Sequence, residues 1–230
     1  MTPLTLDAVR LSLEAGLFCA VLGFPPALAL GWLLARRDFP GKSALGALIM
    51  APLVLPPVVT GILLLKVFGT KAPLGGLLAA LGLPAPFHMT GVVLASLTAS
   101  LPLYILSARL AFESADARFD EAAATLGIPP TAVFRRVTWP LAAPGLAAGA
   151  VIAFARGLGE FGATIVLAGN VPGRTRTIPL AVYSLLDAPA GGSTQPRALV
   201  LASLALSFGA LAAFECLCRR QDRRLGLRRG

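Results

Sequence analysis

Arg156 and Glu160 lie near the middle of an otherwise apolar stretch. An unpaired ionised side chain at the centre of a bilayer costs at least ~2.5 kcal/mol. Four residues apart, the two share one face of a helix and can pair with each other or with a neighbour. Two uses follow. In a pathway for an oxyanion, Arg156 offsets the anion's charge and Glu160 keeps the site from becoming a trap; alternatively, a buried ion pair simply holds the helix in register. The residues alone favour neither, and either way the pair is expected to face protein and not lipid. A second candidate group is Pro56, Pro57 and, one turn later, Gly61. Two prolines break a helix, which yields either a bend beside a gate or tight packing. Pro57 and Thr60 therefore join Arg156 and Glu160 as candidates for the pathway or gate. Small hydroxyl side chains such as Thr60, Ser96, Thr98 and Ser100 more often bond to their own helix than line a path.

Nothing else in the chain has the spacing of a catalytic or metal site. Gly41-Lys42-Ser43 resembles the end of a phosphate-binding loop, but the glycine required five residues before Gly41 is Arg36, and no soluble strand precedes it. Nucleotide must bind another polypeptide. Cys19, Cys216 and Cys218 lack zinc spacing and read as packing residues. His88 is the sole histidine and has no accompanying ligand cluster. No Ser-His-Asp or Cys-His set is visible, so no catalytic, cofactor or metal residue is assigned, and the chain is expected not to be an enzyme.

The elements that must carry these residues are membrane helices. The chain of 230 residues is 56% hydrophobic and only 13% charged, with a mean hydropathy of +0.78, too apolar for an ordinary soluble domain. A helix needs ~20 apolar residues to span hydrocarbon. Five stretches qualify, at about 11–34, 44–68, 89–111, 141–168 and 198–217. They form one membrane domain over 1–218, followed by a short basic tail at 219–230. The first stretch lacks a basic leader and is expected to stay in the mature chain. The net charge of +9 is distributed between apolar blocks rather than on one water-facing surface, which argues against nucleic acid. Arg36, Arg37 and Lys42, the connection from Arg118 to Arg136, and the tail fall on one side. The positive-inside rule makes that side cytoplasmic, with the N-terminus outside and the C-terminus inside.

The connection over 113–140 is the most informative segment. Ser114 or Asp116 can cap a helix with Phe119, Ala122, Ala123 and Leu126 on one face; Gly127, Pro129 and Pro130 end it, and a second short helix begins near Thr131. Alanines on a helix of about three turns suit the groove of a partner better than the surface of a bilayer. The pattern Glu121-Ala122-Ala123, then Gly127, then Val137-Thr138-Trp139-Pro140 resembles the EAA loop of ABC-importer permeases. Val137 replaces isoleucine and Trp139 replaces leucine in that pattern. Phe154-Ala155-Arg156-Gly157-Leu158-Gly159-Glu160-Phe161-Gly162-Ala163-Thr164 is similar to a signature of molybdate and sulfate permeases, and Thr177-Ile178-Pro179-Leu180 is similar to their next external segment. The short length and five spans look more like the molybdate branch; tungstate is nearly the same size and shape as molybdate.

This resemblance implies an all-α integral membrane protein of about five spans, with the type I importer permease fold. It also implies a coupling helix in which Glu121, Ala122, Ala123 and Gly127 contact a separate cytoplasmic ATPase, present in two copies and carrying ATP and Mg, while this chain binds no cofactor. An external oxyanion-binding protein, a homodimer, membrane lipid and a bacterial inner-membrane location complete the expectation. The competing readings are a sulfate or thiosulfate permease of the same family and a secondary transporter driven by an ion gradient. The latter usually has internal repeats, and none is visible here.

Overall fold

The computed structural model describes residues 3–114, 123, 125–186 and 195–224. Helix is the only regular secondary structure among them, in keeping with a chain whose backbone groups must bond internally in lipid. α1 (Pro3–Arg36), α5 (Met89–Glu113) and α6 (Pro130–Leu158) form the centre of the molecule. α5 packs against both of the others, and Ala27, Tyr104, Ile105, Ala108, Phe112 and Leu146 are buried where the three meet. Small residues permit this approach: a methyl group on Gly31 of α1 would stand 2.6 Å from Ala108 Cβ of α5. Without a hydrophobic driving force between helices in lipid, close backbone packing supplies the attraction.

α2 (Lys42–Val54) and α3 (Pro57–Phe68) occupy the second apolar stretch, expected as one kinked span. They are two separate helices bent by 113°. The cause is local: a residue preceding proline avoids the helical region, and both Leu55 (ψ 138°) and Pro56 (ψ 133°) are extended. At 13 and 12 residues, each is ~18–20 Å long and too short to cross ~30 Å of hydrocarbon alone. α4 (Pro73–Ala80) follows.

The fourth stretch also differs from expectation. Instead of running unbroken over 141–168, α6 begins before it at Pro130 and stops at Leu158; α7 (Gly162–Leu167) is separate. A π-helical turn at Phe134–Thr138 lies within α6, where Pro140 has no N–H to continue the regular ladder. The expected short helix near Thr131 is thus the first turn of α6. α8 (Ile178–Leu186) and α9 (Gln195–Arg224) complete the chain, so the helix runs past the expected start of the tail at 219. Among the described residues, four helical segments are long and apolar enough to cross a membrane, at 5–36, 89–113, 130–158 and 199–216. The fifth crossing exists where α2 and α3 count as one broken span.

Candidate functional site

The candidate residues fall into two groups. In the loop group, Glu121 and Ala122 lie outside the described residues, while Ala123 is buried. The Ala123 carbonyl accepts the Leu126 N–H at 3.2 Å and the Ile128 N–H at 3.0 Å, and Gly127 sits between them at φ +67°. A six-residue return bond around a left-handed glycine is the Schellman ending of a helix. A methyl group on Gly127 would touch nothing within 4 Å among the described residues, so what requires the glycine there is its backbone angle. Beside it, Leu126 is 76% exposed and Ile128 41%, which presents two apolar side chains at the turn. The far end of the motif is anchored in the core. The Phe134 ring lies 6.4 Å from Phe112 and 6.4 Å from Trp139, and Trp139 meets Phe24 of α1 edge-on at 6.3 Å. The loop therefore has a rigid root on α1, α5 and α6 and an exposed tip.

The second group gathers at the two broken helices. Arg156 Nη1 is 2.9 Å from Glu160 Oε2, so the expected pair forms. The Glu160 side chain is 2% exposed and that of Arg156 33%: the acid is enclosed by protein, and the base reaches the boundary. Glu160 Oε1 accepts the N–H of Ala163 at 2.9 Å. This bond satisfies one of the free donors at the start of α7 and accounts for the break, because the carboxylate replaces a turn of helix. The sequence reading kept Glu160 within a continuous helix; the signal it passed over was Gly159 preceding an acidic residue three positions before Ala163.

α7 then lies against α3. A methyl on Gly162 would be 2.6 Å from Pro57 Cβ, and one on Gly61 would be 2.7 Å from Val166 Cβ and 3.0 Å from the Ala163 backbone. Pro57, Gly61, Gly162 and Ala163 are thus brought together, with Glu160 directly behind. Thr60 is buried, and its hydroxyl donates to the Pro56 carbonyl of its own chain segment at 3.4 Å. Thr98 similarly donates to Leu94 at 2.8 Å.

A third network had no counterpart in the sequence reading. After Gly169 (φ +70°), Asn170 donates to Ser184 at 2.7 Å and accepts from Arg176 Nε at 2.8 Å. The Ile178 N–H donates to Ser12 of α1 at 2.8 Å, stitching the segment 166 residues along the chain back to the first helix. His88 Nδ1 lies 2.8 Å from the Pro86 carbonyl, within its own turn.

Among the described residues, this arrangement offers two broken helices in contact and an exposed turn at Leu126 to Ile128. The chain is similar to several known proteins. The "Molybdenum transport system permease protein ModB" of Escherichia coli (strain K12) is 43% identical over 221 residues, covering 96% of each chain. The Haemophilus influenzae protein of the same name is 42% identical, also over 96% of each chain. The "Putative molybdenum transport system permease protein YvgM" of Bacillus subtilis is 38% identical over 90% of this chain and 88% of that one. Among solved structures, the fold matches that of an amino acid ABC transporter with a TM-score of 0.65 at 18% identity, covering 95% of this chain and 94% of the other. It also matches a bacterial ABC transporter for import of the polysaccharide alginate with a TM-score of 0.68 at 16% identity, covering 97% and 80%. The family described as "Binding-protein-dependent transport system inner membrane component" matches residues 27–226. The all-helical fold, the membrane-spanning helices and these similarities lead to one conclusion: the chain is a multi-pass membrane permease belonging to the family of binding-protein-dependent transport system inner membrane components.

Proposed function

We propose that this chain is the permease subunit of an ATP-driven importer for a tetrahedral oxyanion dianion, molybdate or the nearly identical tungstate. The single observation that carries the substrate is 43% identity, over 96% of both chains, to a molybdenum permease. The sulfate alternative has no comparable support. In this reading the chain performs no chemistry. A separate cytoplasmic ATPase, in two copies, holds ATP and Mg, and an external binding protein delivers the anion. The N-terminus faces outside and the C-terminus the cytoplasm, with α2 and α3 counted as one crossing. Two copies of the chain enclose the path: α2 has no buried residue, and Val54, Val58, Ile62 and Leu63 expose an apolar face that a symmetric partner would cover.

Glu121, Ala122, Ala123 and Gly127 form the contact with the ATPase. Nucleotide-driven closure of the ATPase pair pulls on the loop, and its aromatic root transmits the movement to α1, α5 and α6. The broken helices bearing Pro57, Thr60, Arg156 and Glu160 border the path and gate it.

The test is ATP hydrolysis by this chain reconstituted in lipid with its ATPase and binding protein. Molybdate, but not sulfate, is expected to stimulate it, and Gly127→Asp is expected to weaken the stimulation. Stimulation by sulfate alone would transfer the substrate assignment to that anion. Absence of any association with the ATPase would reject the importer mechanism.

A further inference from the structure

Building on the permease reading, we propose that Glu160 is a positioning residue whose buried carboxylate ties α6 to α7, so that the bends of the second and fourth spans move as one rigid unit during transport. Its two oxygens act on opposite sides of the break. Oε2 pairs with Arg156 on α6 at 2.9 Å, and Oε1 receives the Ala163 N–H on α7 at 2.9 Å. α7 has only six residues, and an isolated helix of that length cannot hold its own conformation. Its direction must come from contacts, and the carboxylate supplies the one at its start.

Beyond the carboxylate, α7 is fitted against α3 with no room for a methyl group at Gly162 or Gly61. The only buried residues of α3 are Thr60 and Gly61, and Gly61 is the residue that meets Ala163 and Val166. α3 is thus held mainly by α7. A shift of α7 must carry α3 with it, because close-packed surfaces move as blocks rather than deform. The carboxylate does this without touching the anion.

The experiment uses the complete complex, with ATPase and binding protein, in proteoliposomes. Molybdate uptake, ATP hydrolysis and the KM for molybdate-loaded binding protein are measured for wild type, Glu160→Ala, Glu160→Gln and Gly162→Ala. For Glu160→Ala the expected result is a fall of about tenfold in maximal uptake, with hydrolysis and KM within about twofold of wild type. Glu160→Gln keeps an acceptor for Ala163 but loses the ion pair, so its uptake falls about threefold; it also serves if alanine impairs insertion. Gly162→Ala leaves the carboxylate intact and wedges α7 from α3, and is expected to show the same uncoupling. Wild-type uptake in either Glu160→Gln or Gly162→Ala overturns the proposal. So does a changed KM or a changed preference among molybdate, tungstate and sulfate at unaltered maximal rate, which would mean that Glu160 contacts the anion. Failure of the wild-type chain to bind the ATPase would instead reject the permease reading, and the transport role of Glu160 with it.

Discussion

Replacing Gly127 separates a backbone requirement from a steric one. At φ +67° the residue occupies the left-handed region, where an ordinary L side chain costs roughly 1–2 kcal/mol and Asn less. Since a methyl group there meets nothing within 4 Å among the described residues, the expected intramolecular effect is conformational. It acts on the return bond from Ile128 to Ala123. A cost of roughly 1–2 kcal/mol lowers the ratio of binding-competent to incompetent loop about 5- to 30-fold. The apparent Kd for the ATPase rises by up to the same factor. Titrating the purified ATPase onto the chain in lipid nanodiscs measures this directly. The informative feature is the order: Gly127→Ala is expected to weaken binding more than Gly127→Asn, although Asn is larger. If Asn binds more weakly than Ala, or if Ala equals wild type, the helix-ending argument is wrong and any effect arises from the partner's groove.

Gly31→Ala places a methyl 2.6 Å from Ala108 Cβ, and forcing α1 from α5 is expected to cost about 1–3 kcal/mol. Gly46→Ala meets nothing within 4 Å and gains helix propensity of about 0.5–1 kcal/mol, so thermal unfolding in detergent should move in opposite directions for the two. Ser12→Ala strands the Ile178 N–H at a cost of about 1–3 kcal/mol; hydrogen exchange at that amide should accelerate more than at neighbouring helical amides. The Asp38 carboxyl is held below its ordinary range by its hydrogen bond and charge interaction with Lys42. A lowered folded-state value makes any contribution to stability present above the ordinary aspartate pKa and lost as pH falls through the lowered one. Because the carboxyl is fully exposed, Lys42→Met is expected to raise the Asp38 titration midpoint, read by NMR, without a measurable change in unfolding temperature.

The residues of this chain determined on their own that it lives in lipid, roughly where it crosses, and where a helix between the third and fourth spans ends. Those properties are local or additive: apolar length, charge between apolar blocks, and a glycine with prolines at a helix end. The approach of Arg156 to Glu160 was legible for the same reason, because one turn of helix brings residues four apart together. Tertiary structure decided what those residues do. Glu160 could have continued its helix; burial beside Ala163 made its second oxygen a cap and broke the span. Pro56 and Pro57 announced a bend, but the 113° angle depends on where α3 finds a surface of small residues that its backbone can approach. That surface exists at Gly162 and Ala163, about a hundred residues further along. The bond from the Ile178 N–H to the Ser12 hydroxyl follows the same rule: donor and acceptor are brought together only by the packing of α1 against the rest of the chain, which no local pattern encodes.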